Sequence, residues 1–160
     1  MATLVREMCP EDARTFLEVH RASVRGLAAG NYPATVIEAW APLPITDITV
    51  ESFLVNTDRE IRLLAEREGE IIGIGALVVE KSELRACYVL PAAARTGIGS
   101  AIVREIERIA RRKGLVVLRL IASVNSELFY LAQGYRIEER GEHNLQSGHR
   151  MACVKMLKIL

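Results

Sequence analysis

The segment that most restricts the fold lies past the middle of the chain. A strand-like run over residues 83–90 is stopped by Pro91, and a loop of small residues, Ala92-Ala93-Ala94-Arg95-Thr96-Gly97, leads into a helical pattern. Ile98, Ala101, Ile102, Ile106, Ile109 and Ala110 fall on one face of that helix and make it apolar. Arg111-Arg112-Lys113 occupy its last turn, where the dipole is negative, and Gly114 supplies the left-handed residue that ends it. The apolar run 115–122 then reads as a strand buried on both faces and parallel to the one before the loop. Such a strand–loop–helix–strand unit needs a sheet with the helix laid on one face.

The flanking sequence supplies the rest of that sheet. Residues 3–6 read as a short strand. Pro10-Glu11-Asp12 read as the acidic first turn of a helix whose apolar side carries Ala13, Phe16, Leu17, His20, Val24 and Leu27. Gly30-Asn31-Tyr32-Pro33 breaks the pattern. A shorter helix over 34–40 ends before Pro42 and Pro44, and 49–55 reads as one more. Runs 61–66, 71–79 and 83–90 are joined by the tight polar turns Glu68-Gly69 and Lys81-Ser82, which makes an antiparallel meander. A helix over 125–133 stops at Gly134, and strands over 135–140 and 150–157 finish the chain around a polar loop, 141–148. The expected architecture is a mixed α/β layer fold in one domain, residues 1–160, with a largely antiparallel sheet.

Composition removes several classes of function. Half the residues are hydrophobic and only 11 are Gly and 5 Pro, so the chain is neither disordered nor of low complexity. No apolar run approaches the ~18–20 residues of a membrane-spanning helix. The first residues, MATLVREMCPEDAR, turn acidic before any apolar run, unlike a secretory signal. Cys9, Cys87 and Cys153 are an odd, widely spaced set with no CxxC, which argues for a reducing, cytoplasmic setting. A formal charge of +1 gives the whole chain no pull toward nucleic acid or an anionic membrane.

Gly97-Ile98-Gly99-Ser100 is the candidate for chemistry. Glycines at a helix start let a ligand approach the backbone, and the free first-turn N–H groups at the positive dipole end suit a phosphate; a plain tight turn is the competing reading. The chain has no GxxxxGK[ST], and the third glycine of GxGxxG is Ile102 here, so neither the P-loop nor the dinucleotide pattern is complete. A second copy of the tripeptide, Gly73-Ile74-Gly75, lies inside a strand with no helix after it and reads as a bulge or a close backbone approach.

Two motifs in order carry a resemblance. Tyr88-Val89-Leu90-Pro91, five residues, then Gly97-Ile98-Gly99-Ser100-Ala101 is similar to the acetyl-coenzyme A motif V-x-P-x-x-[QR]-x-x-G-x-[GA] of the GNAT N-acetyltransferase superfamily. Phe129-Tyr130-Leu131-Ala132-Gln133-Gly134-Tyr135 resembles that family's F-Y-x-x-x-G-[FY] segment, and the order of strands matches throughout. Residues 23–29, Tyr32, the segment 38–42 and the closing Lys155-Met156-Leu157-Lys158 resemble the YafP-like branch. The chain departs from the pattern at Ala94, where the family has Gln or Arg, and an arginine follows at Arg95.

The resemblance implies a GNAT-like fold with a splayed parallel strand pair, and acetyl-coenzyme A as co-substrate. It implies cofactor contacts from Cys87, Val89, Ala94, Arg95, Thr96, Gly97, Ile98, Gly99, Ser100, Ala101 and Tyr130, with the Val89 N–H on the acetyl carbonyl. Whether Arg95 replaces the side chain missing at Ala94 stays open. Tyr130 matches the family's general acid toward the departing thiolate; a core tyrosine is the competing reading. Glu83, fourteen residues before Gly97, matches a glutamate that activates the amine in histone-type members, and a solvated turn residue or a water chain are the alternatives. His20, Tyr32 and Trp40 fall where the family places its acceptor wall.

His143 and His149 have no ligand spacing, so no metal is expected. Arg104, Arg108, Arg111, Arg112 and Lys113, set against Glu105 and Glu107, read as a solvated helix face, with attraction of the cofactor's phosphates as the functional alternative. The expected function is acetyl transfer to a primary amine, on a small molecule or a protein, by direct attack. A coenzyme A sensor without turnover is the main rival, and nucleic-acid binding through the arginine face a second. Dimers are frequent in such folds, so a homodimer is one expected form.

Overall fold

Strand runs separated by short turns set the sheet. The computed structural model describes residues 2–160. Its strands are β1 (Leu4–Glu7), β2 (Ile61–Arg67), β3 (Glu70–Val78), β4 (Glu83–Val89), β5 (Val117–Ser123), β6 (Arg136–Asn144) and β7 (Arg150–Ile159). Its α-helices are α1 (Ala13–Ser23), α2 (Ala34–Trp40), α3 (Asp47–Val55), α4 (Ile98–Arg112) and α5 (Glu127–Ala132). The strands form one sheet in the order β1-β2-β3-β4-β5-β7-β6, antiparallel except for the β4–β5 pair. Glu68 and Gly69, both at positive φ, make the two-residue turn that joins β2 to β3 in the expected meander.

The principal core lies between the sheet and α4. Ile98, Ile102, Val103 and Ile106 of the helix meet Leu63, Leu77, Leu118 and Met156 of the strands, all essentially without exposure. Each such side chain contributes roughly 1.5–3 kcal/mol on burial. The helix comes very close to β3 because that strand carries glycines beneath it. A Cβ on Gly75 would stand 2.5 Å from Ile102 Cγ2, and one on Gly73 2.8 Å from Ile102 Cδ1. The first Gly-Ile-Gly is therefore the close approach its strand context suggests. On the other sheet face, Phe16 and Val19 of α1 pack on Leu64 and Ile74, and Val24, Tyr32 and Ile37 form a second cluster with Met151.

Four expectations need correction. The run 115–122 is not buried on both faces: β5 alternates, with Arg119 and Ile121 exposed, because the adjoining strand turns away and leaves that face uncovered. Residues 141–144 are strand rather than loop, since β6 continues to Asn144 and pairs with β7 as far as Arg150; His143 thus sits opposite Met151. Helix α5 is preceded by a separate 3-10 turn at Val124–Ser126. Glu107 does not belong to a solvated face: it is 5% exposed, held by groups from outside its own helix.

Candidate active site

The fork between β4 and β5 comes from the loss of pairing after one residue. Only Glu83 and Arg119 are in register, with Arg119 N–H donating to Ser82 O at 2.9 Å. Beyond that point the parallel strands separate. On its other edge β4 pairs with β3, and the Leu90 N–H donates to Ile72 O at 2.9 Å. Antiparallel pairs alternate, so Tyr88 also bonds toward β3 while Val89 and Cys87 turn their N–H groups toward the fork. A bulge at Arg85, between the Ala76–Ala86 and Leu77–Leu84 pairs, shifts this parity along β4. The Val89 donor expected from the sequence thus points into the opening.

At the end of the same strand the loop presents a row of free donors. Among the described residues no acceptor receives the N–H groups of Arg95, Thr96, Gly97, Ile98, Gly99 or Ser100; the first bonded amide is Ala101, to Gly97 O at 3.1 Å. Arg95 and Gly97 both take positive φ, 62° and 87°, which turns successive amides to one side as in an anion-binding nest. The Thr96 hydroxyl is used internally, donating to Ala93 O at 2.6 Å. Ala94 accepts the role of a turn residue, its N–H bonding Pro91 O, and its methyl offers no polar group. The exposed Arg95 side chain has no carboxylate partner among the described residues. A positive helix end with six free donors, opening onto an unpaired strand edge, suits an extended ligand that carries phosphates.

Tyr130 comes to the fork from α5. Its ring is 7% exposed and stands edge-on to Phe129 and Tyr135, at centroid distances of 5.0 and 5.8 Å. Phe129 lies against the loop, 3.0 Å from where a Gly99 Cβ would be. The Tyr130 hydroxyl has no hydrogen-bond partner among the described residues, and burial pushes its pKa well above the usual value. It therefore keeps its proton at neutral pH and remains an available donor. Cys87 is close by, its thiol 3.7 Å from Gly99 O, and burial raises it to about 12, so it is an inert neighbour rather than a nucleophile.

The expected acceptor residues collect on the face away from α4. Tyr88 alternates with Cys87 and Val89 and meets His20 edge-on at 4.7 Å; Trp40 stands 6.3 Å from Tyr88 and 5.7 Å from Tyr32. His20 is depressed to about 3, first by burial and then by the charge of Arg21, whose guanidinium lies 2.9 Å from Nδ1. The rings of the wall are thus uncharged, with the Arg21 guanidinium beside His20. Tyr32 has a further duty: its hydroxyl donates to Ala152 O at 2.5 Å and accepts from the Val124 N–H at 2.9 Å. It clamps the α2 side to the far strands and has only its ring to offer a ligand.

Glu83 lies at the closed end of the fork. It lines a cavity of about 300 Å³ with Arg119, Ile121, Glu138 and Lys155, and its carboxylate accepts from Arg85 Nη2 at 2.7 Å. Arg85 also reaches Asp58 at 2.5 Å, so the acidic groups here are charge-paired. Four to five strand residues separate Glu83 from Cys87 and Tyr88, roughly 13–17 Å at ~3.3 Å per residue. The two catalytic candidates therefore enter from different ends of one opening. Among the described residues no three His, Cys, Asp or Glu side chains come together as a metal site.

Sequence reasoning missed a set of residues behind the site. The Glu107 carboxylate accepts from Lys158 Nζ at 2.9 Å and from the Tyr135 hydroxyl at 3.3 Å, and Lys158 also donates to Gln133 O at 2.8 Å. The Gln133 side chain donates to Ser100 Oγ at 2.9 Å. Only the glycine after Gln133 hinted at this: a Cβ on Gly134 would sit 3.3 Å from the Lys158 side chain.

Known proteins resemble this one at both levels. The model of the acetyltransferase (GNAT) family matches residues 22–135. A spermidine N(1)-acetyltransferase from Thermoplasma acidophilum is 26% identical over 147 residues, which cover 87% of this chain and 91% of the relative. Among solved structures, a GCN5-related N-acetyltransferase from Rhodopseudomonas palustris superposes with a TM-score of 0.90 at 25% identity, covering 100% of this chain and 97% of its own. The PaiA N-acetyltransferase of Thermoplasma acidophilum, solved in complex with coenzyme A, gives 0.78 at 24% identity with both chains covered in full.

Proposed function

Because the chain belongs to the GNAT acetyltransferase family, we propose that it moves the acetyl group of acetyl-coenzyme A to a primary amine, with both substrates bound and no acyl-enzyme. The observation that carries this reading is the convergence of three sets of unpartnered donors on one fork: the amides of 95–100, the Val89 N–H and the Tyr130 hydroxyl. Acetyl-coenzyme A supplies an activated acetyl group and a thiolate that leaves readily. The amides at the start of α4, with the Arg95 side chain near them, hold its pyrophosphate.

The Val89 N–H donates to the acetyl oxygen, and that bond strengthens as charge develops there. Tyr130, kept protonated by burial, gives a proton or hydrogen bond to the departing sulfur. An amine is protonated at neutral pH and attacks only as the free base. Glu83, held by Arg85 at the closed end of the fork, is too far along β4 to touch that amine and takes its proton through a chain of waters. His20 and Trp40 hold the body of the acceptor against Tyr88, with the Tyr32 ring behind them. Positioning of the two substrates supplies most of the rate.

Thiol release from acetyl-coenzyme A over a panel of amines tests the reading. The panel includes spermidine, the substrate in the name of the 26% identical relative, together with amino acids and peptide amino termini. Amine-dependent thiol release supports the reading. Coenzyme A binding with no release on any amine would replace it with the sensor.

A further inference from the structure

A chain of polar contacts runs behind Tyr130, and nothing in the acetyl transfer itself requires it. Residue 130 lies on a helix only six residues long, with exposed Leu128 and Leu131 on its outer side, so α5 has little packing of its own to fix it. Polar groups hold its far end instead. Lys158 of β7 donates to the Gln133 carbonyl at 2.8 Å and to both oxygens of the buried Glu107 at 2.9 Å. The Tyr135 hydroxyl donates to the same carboxylate, and its ring stands edge-on against Tyr130. The Gln133 amide donates to Ser100 Oγ, in the first turn of α4. The end of the tyrosine's helix is therefore tied both to the middle of α4 and to the turn whose amides face the phosphates.

We infer that Gln133 and the buried Glu107–Lys158 pair are positioning residues that fix Tyr130 relative to the first turn of α4. Glu107 and Lys158 form an ion pair from which water is excluded on the carboxylate side, with side-chain exposures of 6% and 24%. Such a pair contributes little net stability compared with apolar groups of the same size, but it is directional and fixes one arrangement of the three elements it joins. The Gln133–Ser100 bond adds a second point of attachment, one side chain long, between leaving-group donor and phosphate loop. The inference rests on the acetyl-transfer reading, in which the Tyr130 hydroxyl donates to the departing sulfur.

The test is a double-mutant cycle in the full-length protein, with kcat, KM and coenzyme A affinity measured for each variant. Gln133→Ala removes the link to Ser100 and leaves the ion pair intact. It should lower kcat about 5–50-fold while coenzyme A affinity changes less than about threefold. The paired replacement Glu107→Met with Lys158→Met leaves no buried charge unpaired. It should lower kcat similarly at a melting temperature close to wild type. In a Tyr130→Phe background each of these changes should cost less than about twofold, because the hydroxyl they position is gone.

An equal loss of kcat in both backgrounds would overturn the inference, since it would mark a role in the fold alone. So would wild-type kcat in Gln133→Ala and in the paired variant. If Tyr130→Phe by itself turns over like wild type with the chemical step limiting, the acid role of Tyr130 fails first and the positioning role with it.

Discussion

The chain uses the tripeptide Gly-Ile-Gly twice, at 73–75 and at 97–99, for opposite purposes. In the first copy the glycines lack side chains so that α4 can lie almost on the backbone of β3, with Ile102 filling the space that two Cβ atoms would need. In the second, Gly97 has nothing within 4 Å of its absent Cβ and adopts φ +87°, while the amides around it have no acceptor. The first copy only makes a dry contact; the second does so at Gly99, against Phe129, but at Gly97 it frees the backbone and leaves donors open. A glycine pair acquires its meaning from the element it sits in, a strand that runs on or a helix that begins. Both copies serve the same helix, one from its side and one from its end.

The comparison can be broken at either copy. Gly75→Val should have the largest effect on folding. Its side chain would collide with Ile102 and Ile106 beneath Ala86 O, at a cost of about 1–3 kcal/mol, read as a lower midpoint in chemical denaturation. An unchanged midpoint would mean that α4 does not approach β3 this closely. Gly97→Ala has room but the wrong backbone preference, and should lose about 1 kcal/mol through strain alone in the same assay. A loss as large as that of Gly75→Val would erase the distinction between contact and conformation.

Arg95→Ala should leave the denaturation midpoint alone and weaken coenzyme A several-fold, less so at high salt, as expected of an exposed charge near phosphates. Salt-independent weakening would assign the arginine to loop geometry instead, where its φ of 62° is unusual for a side-chain-bearing residue.

A pH-dependent effect belongs to the other face of the sheet. The His20 pKa is depressed in the folded chain to about 3 from an ordinary value of 6.5. The unfolded state then binds the proton more readily, so this contribution to stability is complete above about pH 6.5 and lost as pH falls toward 3. His20→Phe should flatten the fall in stability between about pH 6.5 and 4.5, before the carboxylates titrate. An unchanged slope would show that the ring is not buried as a neutral group.

Much of the fold was legible because period-two and helical patterns are local. The meander, the helix after Pro91 and the two closing strands all come from runs that a reader can see. The uncovered face of β5 was not legible, because Ile121 is apolar in sequence yet exposed where the parallel neighbour turns away. Glu107 looked like one more charge on an arginine-rich helix, since its partner Lys158 lies 51 residues on. Tyr32 resembled a ligand contact, but its hydroxyl is shared between Ala152 and Val124, about a hundred residues away. Arg85 gave no signal at all, because its position as the extra residue of a bulge is a property of strand register. For the site, the loop and Tyr130 came from motifs, and the elements behind them came only from contacts between distant parts of the chain.

The measurement that tests the central claim most directly is calorimetric titration of coenzyme A into wild type, Gly75→Val and Gly99→Val. The Gly99 Cβ would press on Phe129 at 3.0 Å, beside the amides that have no acceptor. The account predicts binding by wild type, unchanged affinity in the folded Gly75 variant, and a loss of at least about tenfold, or ~1.4 kcal/mol, in the Gly99 variant. Wild-type affinity in Gly99→Val, or an equal loss in both variants, would contradict it.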